Sequence, residues 1–133
     1  MTPRSRRAVH HGAIALIVFV VGEPAIAAPS AARGEAIYAR CAACHALERN
    51  RVGPRHCGLF GRRAGSVPNF DYSPAMKNAH IVWNAQTLDR FLAGPLKMVP
   101  GTSMTYDGVP DVAERADLIA YLQQANRSPE CAH

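Results

Sequence analysis

The clearest periodic signal lies near the end of the chain, where Leu118, Tyr121, Leu122 and Ala125 recur at the i, i+3, i+4, i+7 spacing of one buried helical face. Asp111, with Glu114 three positions on, resembles a capping box, so this helix is predicted to begin just after Asp111. Shorter helices read before it. One runs from about Ala32 to Ala43, with Ile37 and Tyr38 as its apolar positions. Another starts at Ser73-Pro74, where Ser suits an N-cap and Pro the first turn, and lasts about a turn and a half. A third, Asn84 to Ala93, has Asn as its cap and stops at Gly94-Pro95, with Leu88, Phe91 and Leu92 on one face.

Between these helices lie long stretches, from Leu47 to Tyr72 and from Leu96 to Pro110, that are rich in Gly and Pro and show no strand alternation. The pattern predicts an all-α fold of about four short helices joined by long loops. Loops of this length are unusual in a small domain unless something organises them. So short a chain, with so little helix, also buries too little of itself for easy stability. A large apolar cofactor would resolve both difficulties.

The first quarter does not read as domain sequence. Arg4, Arg6 and Arg7 form a basic start, Gly12 to Gly22 an apolar run, and Ala25-Ile26-Ala27 an A-x-A cleavage site. The apolar run is about half of the ~20 residues a helix needs to cross a bilayer. Residues 1–27 are therefore predicted to be a cleavable export signal, with residues 28–133 as one domain. Losing Arg4, Arg6, Arg7 and Glu23 lowers the formal net charge from its full-chain value of +5. Positive charge is concentrated around the first helix's end, in Arg40, Arg49, Arg51, Arg55, Arg62 and Arg63. Such a run reads either as a solvated face or as a docking patch for acidic partners. With no basic helix or stacking aromatics, nucleic acid is excluded as a partner.

The candidate chemistry is CAACH, Cys41 to His45, in a chain with only 4 cysteines. Cys-x-x-Cys-His is the attachment pattern for c-type haem: two thiols bond the macrocycle and the histidine ligates iron axially. A zinc site from Cys41, Cys44 and Cys57 would lack the second paired-ligand half usual in closed sites. A thioredoxin-type pair needs a strand before it and a βαβ pattern around it. A structural Cys41–Cys44 disulfide is a further reading, and weaker than these. Export favours haem, which is attached to c-type proteins after they have crossed the membrane.

From Gly34 to Asn126 the chain resembles class I c-type cytochromes, nearest the mitochondrial cytochrome c and bacterial cytochrome c2 branch. CAACH carries the likeness together with VGP at Val52 to Pro54, GLFGRRAG at Gly58 to Gly65, FDYSPAMKN at Phe70 to Asn78, VPGTSM at Val99 to Met104 and RADLIAYL at Arg115 to Leu122. The resemblance implies thioether links at Cys41 and Cys44, His45 as proximal ligand, and the Pro54 carbonyl as acceptor for that histidine's other ring nitrogen. It implies Met104 as distal ligand, where spacing alone leaves Met76, Met98 and Met104 all readable as gap-fillers. Arg62, Tyr72, Trp83 and Thr102 fall where the family surrounds a haem propionate. Cys57 and Cys131 are not used by the haem, and in the family's fold their segments lie close, which implies a Cys57–Cys131 disulfide.

The implied protein is a monomeric periplasmic one-electron carrier with one covalently bound haem c and no small-molecule substrate. It would take electrons from a quinol:cytochrome c oxidoreductase and pass them to a terminal oxidase or a photosynthetic reaction centre. Two other readings remain: the dedicated acceptor or subunit of a periplasmic dehydrogenase, and a haem peroxidase in which Met104 detaches. The peroxidase reading lacks the distal His and Arg that peroxide chemistry expects.

Overall fold

The computed structural model describes residues 27–132. The export-signal reading, with its Arg-rich start and apolar run, lies outside these residues apart from Ala27. Five helices follow in order: α1 Ala31–Tyr38, α2 Pro74–Lys77, α3 Ala85–Ala93, α4 Pro95–Met98 and α5 Val112–Ala125, then a 3₁₀ turn at Pro129–Cys131. Among the described residues there is no strand, only an isolated bridge between Arg63 and Val82.

Local chemistry accounts for most boundaries. Ser30, Ser73, Asn84 and Asp111 each cap a helix by accepting the N–H three residues on. The full capping box is on α3, where Thr87 Oγ1 returns a bond to the Asn84 N–H at 2.8 Å. On α5 the box is only half formed, because the Glu114 carboxylate is drawn to Arg40 at 2.9 and 3.1 Å instead. The first helix is shorter than its predicted reach to Ala43. Beyond Tyr38 the chain tightens into i→i+3 bonds, Arg40 to Ile37 at 3.0 Å and Cys41 to Tyr38 at 2.8 Å, which carry it as turns into CAACH. Gly94-Pro95 ends α3 as expected, but Pro95 also occupies the first turn of a new short helix, α4.

α1 and α5 cross at Gly34, where the absence of a side chain lets the helix meet the Asp117 carbonyl and the Tyr121 Cβ. The Asp117 carboxylate ties the same crossing, accepting from Ser30 N–H at 2.6 Å and from Arg33 Nε at 2.6 Å and Nη2 at 2.9 Å. Arg115 is buried and donates to Asp89 and to the carbonyls of Val109 and Pro110, fastening the second long loop to α5. The fully buried Leu118, with Leu122, Leu88, Phe91 and Leu92, then faces inward on a cavity rather than a solid core.

Candidate functional site

That cavity has a volume of about 460 Å³ and a mainly apolar lining. The CAACH turn forms one part of its wall. His45 N–H bonds the Cys41 carbonyl at 2.9 Å and Cys44 N–H the same carbonyl at 3.1 Å, so one helical turn presents both thiols and the imidazole. Cys41 and Cys44 are free, and Cys41 is the more buried. Arg51 closes the turn's end by donating to the carbonyls of Ala42 and His45.

His45 Nδ1 lies 2.8 Å from the Pro54 carbonyl, which can only accept, so the proton is on Nδ1 and the Nε2 lone pair is free. Burial pushes this imidazole below its usual value and the Pro54 bond opposes the shift, which favours the neutral, ligating form. Gly53 is required beside it: a Cβ there would overlap the His45 ring.

Met104 reaches the cavity from a loop whose geometry the sequence dictates. Val99 to Thr102 is closed by a 3.0 Å bond from Thr102 N–H to the Val99 carbonyl, with Pro100 second and Gly101 third at φ 90°, as a type II turn demands. Thr102 Oγ1 then accepts the Met104 N–H at 3.3 Å, turning the chain back so that Met104 lines the cavity.

Arg62, Tyr72, Trp83, Thr102 and Pro54 line the same space. Arg62 donates to the Cys57 and Arg55 carbonyls at 3.0 Å each, yet its Nε is buried and finds no partner among the described residues. Burial pulls this guanidinium below its usual value, with the Tyr72 hydroxyl opposing. An orphaned buried donor on a charge that cannot be neutralised calls for an anion. Two thiols, an imidazole, a thioether and that donor, set around an apolar space, fit a haem with its carboxylates.

A disulfide joins Cys57 to Cys131, with Cα atoms 5.1 Å apart, so the third thiol of a zinc site is not free. No group of His, Cys, Asp or Glu among the described residues is placed to hold a metal ion alone. The arginine run divides: Arg40 and Arg51 are exposed but tied, to Glu114 and to backbone carbonyls respectively, Arg62 turns inside, and Arg49, Arg55 and Arg63 are exposed.

The family model described as Cytochrome c matches residues 31–126. The chain belongs to the cytochrome c family. It is 44% identical to a cytochrome c of Sesamum indicum over 96 residues, 69% of this chain and 86% of that one. It is 39% identical to a cytochrome c2 of Blastochloris viridis over 114 residues, 84% of this chain and 90% of the relative. Among solved structures, cytochrome cH from Methylobacterium extorquens superposes with a TM-score of 0.70 at 41% identity, covering 71% of this chain and 98% of that one. The all-α class I fold read from the sequence is the fold observed. Members of the family are electron carriers that hold one haem c by covalent bonds, and this cytochrome is one of them.

One site residue escaped the sequence reading. His56 lies against His45 with ring centroids 4.2 Å apart and planes 20° from parallel, and its Nδ1 is 3.1 Å from the Tyr38 hydroxyl. Burial, then the neighbouring His45 and Arg62, hold His56 well below the ordinary imidazole value, so its ring is neutral. A lone histidine between Arg55 and Cys57 carries no spacing signal; only the folded loop shows where it goes.

Proposed function

We propose that residues 28–133, freed of a signal in residues 1–27, form a periplasmic one-electron carrier. Cys41 and Cys44 supply the thioether sulfurs, His45 Nε2 the proximal ligand and Met104 the distal one. Pro54 fixes the His45 tautomer and ring orientation. Arg62, Tyr72, Trp83 and Thr102 receive a propionate, whose charge gives the orphaned Arg62 Nε its partner. When bound, the haem supplies an iron that gains and loses one electron. His45 and Met104 would hold the iron from this chain's side in both oxidation states, leaving no place for a small-molecule substrate and little to move. The observation that carries this reading is that both candidate ligands and both free thiols line one apolar cavity.

The donor would be a quinol:cytochrome c oxidoreductase and the acceptor a terminal oxidase or reaction centre, met by the monomer in brief encounters. The relative named cytochrome c2 supports the bacterial setting. Arg51 and Lys97 remain exposed for docking, whereas Arg40 is held by Glu114 and positions beside Lys97 and Met104 carry Leu96 and Ser103. Electron transfer is therefore expected to depend on salt less steeply than in a relative with lysines there.

Two measurements test the proposal. Reduced protein mixed with carbon monoxide at neutral pH should bind it slowly or not at all; rapid binding would show an open iron and overturn Met104 ligation. Stopped-flow rates with a panel of membrane oxidases and periplasmic dehydrogenases across an ionic-strength series identify the partner. Fast reaction with one dehydrogenase alone would replace the diffusing carrier by a dedicated one.

A further inference from the structure

The stacked pair of imidazoles is not needed by any role given so far. The His56 ring is set in place by its own backbone: its N–H bonds the carbonyls of Ala46 and Leu47 at 3.0 Å each, immediately after the CAACH turn. The flanking Arg55 and Cys57 carbonyls both accept from Arg62, and Cys57 is bonded to Cys131. Tyr38, on α1, holds the ring's Nδ1. The ring therefore has little freedom to leave the face of His45.

We propose that His56 is a positioning residue for the proximal ligand: its ring face fixes the rotation of the His45 imidazole and stabilises the ferric state through it. Pro54 holds the Nδ1 edge of the His45 ring, and Gly53 lies close against its Nδ1, Cε1 and Nε2 atoms. The His56 ring stacks on the same imidazole, a flat aromatic contact that neither the Pro54 carbonyl nor a side-chain-free glycine supplies. A flat, polarisable ring also interacts with positive charge better than an aliphatic side chain does. Ferric iron shares more positive charge with its ligand than ferrous iron, so the stack favours the oxidised form. The polarity of the shell around a metal acts on its potential in the same direction.

The test compares His56→Leu, His56→Phe and Tyr38→Phe in the holoprotein by redox titration and by the haem-methyl shifts in the proton NMR spectrum of the ferric form, which report the ligand ring's orientation. His56→Leu is expected to favour reduction by about threefold at fixed poise, about 28 mV for a one-electron couple, and to change the spread of the methyl shifts. His56→Phe, which restores a flat ring, should return the spread towards that of the parent protein. Tyr38→Phe should move both readouts in the direction of His56→Leu, by less.

An unchanged potential and spread in His56→Leu would overturn the proposal. Identical spreads in the Leu and Phe variants would do so too, since packing alone would then explain the effect. Should neither His56 variant retain haem, Tyr38→Phe decides, and an unaltered spread there counts against the idea. The inference rests on His45 as iron ligand. A parent protein that gives up its haem to acid–acetone extraction fails the attachment reading as well, whereas a stable holoprotein indifferent to His56 fails this inference alone.

Discussion

Gly34 of α1 and Asp117 of α5 meet backbone to backbone, so closely that a Cβ on Gly34 would overlap the Asp117 carbonyl and come within 2.8 Å of the Tyr121 Cβ. Neither obstacle is the flexible end of a side chain. Gly34→Ala is therefore expected to push the helices apart and cost about 3 kcal/mol, the upper range for overpacking. Denaturant unfolding of the holoprotein, followed by far-UV circular dichroism, measures it, and a loss below about 1 kcal/mol would mean that the crossing yields easily.

Asp117 also makes the crossing sensitive to acid. The Arg33 guanidinium, then the Ser30 N–H, hold its carboxyl below the ordinary 3.8. A carboxyl lowered by folding contributes stability above its unfolded value and loses it as pH falls through the folded one. Asp117→Asn should thus be clearly destabilising at neutral pH, with the gap to the parent narrowing below about pH 4. Unfolding curves at neutral pH and at about pH 3 check the sign; a gap that widens in acid contradicts it.

The Cys57–Cys131 bond spans a sequence separation of 74 and holds the 3₁₀ turn after α5 against the loop that carries His56. Peptide mapping without reduction is expected to recover the linked pair from exported protein. Replacing both cysteines by serine should cost about 4 kcal/mol by chain entropy. Two alkylatable thiols in freshly isolated protein would refute the linkage.

Phe91 shares the cavity with Met76 and Met104, and its ring lies 5.0 Å from that of Trp83. Phenylalanine itself has no hydroxyl to offer the Met104 sulfur. Phe91→Tyr adds one, and with that hydroxyl bonded to the sulfur, donation to ferric iron weakens and the potential should rise by about 20 to 45 mV, the worth of one net hydrogen bond. A redox titration of both proteins at one pH is the measurement. A fall in potential with Met104 still bound would show that pocket polarity outweighs sulfur donation.

The attachment chemistry and most helix boundaries were legible in the sequence because they are local. Cys41, Cys44 and His45 need only one turn of chain to share a face, Ser73-Pro74 and Asn84 cap by bonds three residues long, and Pro100-Gly101 dictates its own turn. Glu114 was misread as the second half of a capping box because its carboxylate had a choice between a backbone N–H nearby and Arg40, far off in sequence, and the choice depends on where α1 crosses α5. Gly94-Pro95 marked a stop correctly and hid a start, since the direction of the chain after it is set by packing. That Arg40 is held was decided the same way, by a carboxylate 74 residues further along, whereas the carbonyls that hold Arg51 and Arg62 lie within 9 residues of them. His56 is the extreme case. Nothing in Arg55-His56-Cys57 requires a ring at the face of His45, and only the loop bonds to Ala46 and Leu47, with Tyr38 behind, put it there. Contacts closed within a few residues are written in spacing and residue type; contacts closed between distant segments exist only once the chain has folded around its cavity.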